Sequence, residues 1–110
     1  MADIENLSID SFSRILGREA GQAVVYFSAS WCQPCQSMRP VFIELVRRIV
    51  DLAVAFGTVD IAQSPTIAPT YGIRSVPSIA VFRQGKLVAL IPGEVPVEQA
   101  EVRVRQALAL

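Results

Sequence analysis

Hydrophobic positions change their period several times along the chain, and each change marks a segment. Phe12, Ile15 and Leu16 recur at three- and four-residue spacing behind Asp10 and Ser11, either of which can cap a short helix stopping near Gly17 or Gly21. Ala23-Val24-Val25-Tyr26-Phe27 is instead a continuous apolar run rich in β-branched and aromatic residues, the pattern of a central strand covered on both faces. From Pro34 to about Val50 the helical period returns. Met38, Val41, Phe42, Leu45 and Ile49 form the stripe, and Glu44, Arg47, Arg48 and Asp51 hold the other side. Pro40 falls inside this helix, where its missing amide and its ring predict a bend.

Val54 to Val59 reads as another strand closed by Asp60, and Pro65 and Pro69 leave room for only a short helix after it. Ser78 to Phe82 and Lys86 to Ile91 are strand-like runs separated by Arg83-Gln84-Gly85, which suits an antiparallel hairpin. A last helix from about Val97 buries Ala100, Val104, Ala107 and Leu108 and pairs Glu101 with Arg105 four residues on. With a short strand near Ile4 to Ser8, the order alternates and then ends in a hairpin and a helix. That order predicts an α/β fold with a mixed sheet and helices on both faces.

The 110 residues suit one domain, spanning 1–110 without a linker or repeat, and can close a core without metal or disulfide staples. Half the chain is apolar, far from the composition of disordered segments. Ten basic residues balance ten acidic ones with no run of either sign, so neither nucleic acid nor an anionic membrane is an expected partner. The longest apolar stretches fall far short of the roughly 20 residues that span a bilayer. Met1-Ala2-Asp3-Ile4-Glu5 is acidic and lacks the basic start of a secretory signal, so the expected location is cytoplasmic.

The chemistry lies in Trp31-Cys32-Gln33-Pro34-Cys35, at the junction of a buried strand and a long helix. The first helical turn offers unpaired amides and the positive end of the helix dipole, which favour thiolate over thiol. Cys32, nearer the helix start and solvent, is the expected nucleophile. It attacks a partner disulfide, and Cys35 resolves the mixed disulfide. Residues three apart on a helix have Cβ atoms about 5 to 6 Å apart, against about 3.8 Å in a relaxed disulfide, so closing this one requires local tightening. Pro34 fits the first turn, where no helical bond needs its amide. A zinc site needs four ligands, and a chain with two cysteines and no histidine cannot supply the usual set, so no metal is expected.

Further residues carry a resemblance. Trp31-Cys32-Gln33-Pro34-Cys35 after an apolar strand, Pro40 five residues beyond, Val59-Asp60, the run from Ala68 to Ser78 and Phe82-Arg83-Gln84-Gly85 together resemble the thioredoxin family, from about Ser11 to Leu110. The resemblance implies a thioredoxin fold with a mixed four- to five-stranded sheet. It implies a cis Val76-Pro77 bond facing the dithiol, and a client segment pairing with the backbone of Val76. Trp31, Pro34, Val76, Pro77 and Gly93 would then be the substrate-binding residues around Cys32. Clients would be protein disulfides and the electron donor a reductase, with the protein a monomer and no cofactor beyond the Cys32-Cys35 couple.

This chain departs from the family pattern in two ways. A buried aspartate six residues ahead of the first cysteine is typical, but Tyr26 stands there, and Phe56 stands at the matching lysine position. Both members of a buried ion pair are therefore replaced together, which avoids a lone buried charge. Without the acid, Cys35 should resolve more slowly near neutral pH. Gln33 stands where glycine is usual and tunes the motif in a direction the sequence does not give. The rival functions are a binding module or chaperone with weak turnover, and an oxidase or isomerase. A reductase would have a potential near about −270 mV and a strong oxidant one near about −120 mV.

Overall fold

The computed structural model describes residues 4–16, 21–49 and 53–108. Five strands form one sheet: β1 (Ile4–Asn6), β2 (Gln22–Ser28), β3 (Val54–Asp60), β4 (Ser78–Arg83) and β5 (Lys86–Pro92). Their order is β1-β3-β2-β4-β5, with β1, β3 and β2 parallel and β4 and β5 antiparallel. The helices are α1 (Ile9–Leu16), α2 (Gln33–Arg48), α3 (Ile67–Thr70) and α4 (Val97–Leu108).

The continuous apolar run of β2 makes it the centre of the sheet, and its side chains alternate between two cores. Val24 and Tyr26 join Met38, Phe42, Leu45, Val46, Ala100 and Val104 under α2 and α4. Ala23, Val25 and Phe27 join Phe12, Ile15, Ile67 and Ala68 under α1 and α3. Each large side chain so buried contributes about 1.5–3 kcal/mol. Val46 is buried although it lies beside the predicted stripe, because α2 is covered by α4 as well as by the sheet.

Several details differ from the sequence expectation. The cap of α1 is Ser8, not Asp10 or Ser11. The Ser8 carbonyl accepts from the Phe12 amide at 2.9 Å, while Ser8 and Ser11 exchange side-chain and backbone hydrogen bonds. Asp10 instead lies in the first turn. Gly17, the Leu16 side chain, Val50 and Asp51 lie outside the description. The hairpin turn is only Gln84-Gly85, with φ of 52° and 79°, and Arg83 pairs with Lys86 in the ladder. Pro40, by contrast, lies inside α2 as expected, within a helix from Gln33 to Arg48.

The carboxyl end of α2 is fastened to α4 by charge. Arg48 reaches Glu44 and Glu101 at 3.2 Å each, Arg105 pairs with Glu101 at 3.0 Å, and Arg105 also donates to the Arg48 carbonyl at 2.9 Å. This cross-link fixes the helix whose opposite end carries the cysteines. Among the described residues, no helix is long and apolar enough to cross a membrane.

Candidate active site

β2 ends at Ser28, the chain turns through Ala29, Ser30 and Trp31, and α2 begins at Gln33. Cys32 is therefore the residue that caps the helix and not part of it, with an extended backbone at φ −92° and ψ 111°. Its Sγ accepts a hydrogen bond from the Cys35 amide at 3.2 Å. A sulfur in this place receives an otherwise unpaired amide and faces the positive end of a sixteen-residue helix. Both features favour its thiolate form.

Cys32 and Cys35 form a disulfide with their Cα atoms 5.3 Å apart, within the usual range. The tightening expected of two helical residues is unnecessary, because Cys32 has left the helical conformation. Cys35, inside the first turn, is 3% exposed and Cys32 is 6% exposed, so the difference in solvent access is smaller than the sequence suggested. In this oxidised form the Cys32 sulfur turns inward toward Cys35 and lies 3.8 Å from the Val76 carbonyl oxygen. Trp31, 70% exposed, and the exposed Gln33 and Pro34 surround it on the outer side.

The Val76-Pro77 bond is cis. Val76 is half-buried and packs, together with Ile61, against the small cluster of Ala29, Cys32 and Cys35. Pro77 is buried, and its carbonyl accepts from the Gly93 amide at 2.8 Å. Gly93 has φ +79°, the left-handed conformation that other residues rarely adopt. The fold thus brings Cys32, Cys35 and Val76 into contact, joins Pro77 to Gly93, and places Trp31, Gln33 and Pro34 on the exposed turn. Ile61 is the contact that the sequence reading missed. It directly follows Asp60 at the carboxyl end of a parallel strand, where such sheets commonly place ligands.

Beneath the dithiol, Tyr26 is fully buried, and its hydroxyl donates to the Cys35 carbonyl at 2.5 Å. Its ring stacks on Phe42 with centroids 5.3 Å apart, and the Arg39 guanidinium lies 6.0 Å from the ring centre. Burial raises the pKa of the phenol, with Arg39 opposing the shift. Phe56 lies in the same core as Tyr26. In register, however, Phe56 stands opposite Val24, and the residue facing Tyr26 across β2 and β3 is Thr58, so the expected pairing of Tyr26 with Phe56 is not the one the sheet makes. Among the described residues, no cluster of acidic, histidine or cysteine side chains could hold a metal ion.

Comparison with known proteins places this geometry in context. The thioredoxin family profile matches residues 3–106. Thioredoxin Y2, chloroplastic, of Arabidopsis thaliana is 31% identical over 101 residues, an alignment covering 92% of this chain and 60% of that protein. Thioredoxin M5, chloroplastic, of Oryza sativa subsp. japonica is 39% identical over 84 residues, covering 76% of this chain and 48% of that protein. The chain thus spans about half to three-fifths of the length of these relatives. The solved structure of a thioredoxin from Malassezia sympodialis superposes with a TM-score of 0.86 at 27% identity, covering 97% of this chain and 92% of that one.

Proposed function

The chain belongs to the thioredoxin family, and from that premise we propose that it is a thiol-disulfide oxidoreductase that reduces protein disulfides. The observation that carries this reading is the Cys32 sulfur at the cap of α2, accepting the Cys35 amide at 3.2 Å. In the dithiol state the Cys32 thiolate attacks one sulfur of a client disulfide. A Cys32-client bond forms, the client bond breaks, and its electron pair leaves on the other client sulfur. Cys35 then loses its proton and attacks Cys32 Sγ. The Cys32-Cys35 bond forms and the client leaves with both sulfurs reduced. A reductase returns two electrons and two protons to the pair.

Trp31, Pro34, Val76, Pro77 and Gly93 are the surface on which the client segment lies. The Val76 carbonyl is near enough to Cys32 for a strand-like pairing there to align the client sulfur with the nucleophile. Gln33, exposed beside the sulfur, adds a polar contact to that surface. The reading carries with it one domain, a monomer, a reducing compartment placed in the cytoplasm, and clients that are proteins and not nucleic acids.

Insulin reduction with dithiothreitol as electron donor tests the proposal. The native chain should precipitate reduced insulin, and Cys32→Ser should fall to the uncatalysed background. Full turnover by Cys32→Ser would overturn the assignment. The lack of an acid at Tyr26 favours a second reading, a holding role without turnover, and a native chain that binds unfolded insulin yet never reduces it would support that one.

A further inference from the structure

The surface beside Cys32 is mostly apolar or neutral, and such a surface does little to choose among clients. Val76 and Ile61 pack against the cysteines and also line a recess of about 150 Å³ with Pro65, Pro69 and Ile73. Dry apolar cavities of about that size accept a benzene-sized ring, so one apolar client side chain fits there. The recess rewards size and not direction, because burial of apolar area has no orientation of its own. The backbone of Val76 likewise can pair with a segment running either way.

Two exposed charges border this surface and do have a direction. Arg74 lies two residues before Val76 and forms part of the same recess. Glu94 follows Gly93, whose amide is held by the Pro77 carbonyl at 2.8 Å. Along this path Val76 and Pro77 stand between the cation and the anion. Neither Arg74 nor Glu94 forms an ion pair among the described residues, whereas the charges joining α2 to α4 are matched to one another. The remaining charges near the dithiol, Arg39 and Asp60, lie together at a separate cavity at Ser28 and Ala29, where their opposite signs offset each other. The formal net charge of the chain is zero, so no overall field steers clients and electrostatic selection has to be local.

We propose that Arg74 and Glu94 select and orient the client, which carries an acidic side chain on the Arg74 side of its cysteine and a basic one on the Glu94 side. The proposal rests on the oxidoreductase reading and names its substrate class. In extended chain the two residues from Arg74 to Val76 span about 7 Å, so the client acid falls about two residues from the position paired with Val76. Charge pairs across an interface fix its register, and like charges brought together reject the reversed orientation. A segment held in the right direction presents its sulfur to Cys32, and one held in the other direction does not.

Short peptides with one central cysteine, linked as disulfide dimers, test this in single turnover with the pre-reduced protein. Acid quenching and chromatography measure the peptide thiol released. One peptide carries glutamate two residues before the cysteine and lysine two residues after it, a second reverses that order, and a third has glutamine at both places. At low salt the native protein should reduce one charged order about two- to fivefold faster than the other, the range that exposed ion pairs supply, with the neutral peptide between them. Raised salt should bring the rates together. Arg74→Glu combined with Glu94→Arg should reverse the ratio, and Arg74→Gln combined with Glu94→Gln should bring it to one. The ratio between the two orders is the readout, so a general loss of activity in a variant cancels. Equal rates for the two orders in the native protein, or a ratio that persists when both charges are neutralised, would overturn the proposal. Failure of the native protein to reduce any of the three peptides would instead contradict the oxidoreductase reading.

Discussion

The Tyr26 hydroxyl donates a 2.5 Å hydrogen bond to the Cys35 carbonyl, tying the central strand to the first turn of the cysteine-bearing helix. The side chain at the position typical of a buried acid thus holds the site together without being able to act as a base there. Tyr26→Phe should lower stability by about 1 kcal/mol, the usual net worth of one hydrogen bond, while leaving the rate of Cys35 resolution unchanged. Urea unfolding and rapid mixing check the two halves.

The same residue predicts behaviour at high pH. Because burial raises the folded-state pKa of Tyr26, its contribution to stability is fully present below the unfolded value of about 10 and is lost as pH rises through the folded one. Unfolding midpoints should therefore fall above about pH 10, and Tyr26→Phe should remove part of that fall.

At low pH the tie between α2 and α4 governs. Hydrogen bonds from Arg105 and then Arg48 lower the pKa of the Glu101 carboxyl. Stability from this cross-link is therefore present above the unfolded carboxyl value of about 4.3 and is lost as pH falls through the folded value. Glu101→Gln should give a shallower acid limb in urea midpoints measured across that range. Raised salt should weaken the native cross-link, since these side chains reach solvent.

Two glycines should respond to alanine for different reasons. At Gly93 an added Cβ meets nothing within 4 Å, so the effect comes from φ +79° alone and should be about 1–2 kcal/mol. At Gly57 an added Cβ would stand 2.5 Å from Leu7 Cδ1 and 3.1 Å from the Glu5 carbonyl oxygen, forcing the Leu7 side chain to shift. That crowding should destabilise by about 1–3 kcal/mol. Thermal unfolding distinguishes the cases if Leu7→Ala is added: it should relieve the clash at Gly57→Ala and do nothing for Gly93→Ala.

Strong periodicity made much of this fold legible in the residues. The Ala23-to-Phe27 run announced a central strand, and the Met38-to-Ile49 stripe announced the helix that packs on it, because both patterns follow from burial on the sheet. Ser8 was missed as a cap because an isolated serine two positions before Asp10 carries no periodic signal. Only its reciprocal bonds with Ser11 reveal it. The cysteine motif located the reactive pair. By contrast, Ile61, Ala29 and the cavity at Ser28 depend on strand register, which pairs Ser28 with Asp60 across β2 and β3, and no local pattern encodes that neighbour.

The central claim is that the start of α2 ionises Cys32, and the pH dependence of its alkylation tests this most directly. In Cys35→Ser, where Cys32 is the lone thiol, the iodoacetamide rate should reach half its maximum well below the pH of about 8.5 at which a free cysteine is half ionised. A half-maximal rate at or above that pH would contradict the account.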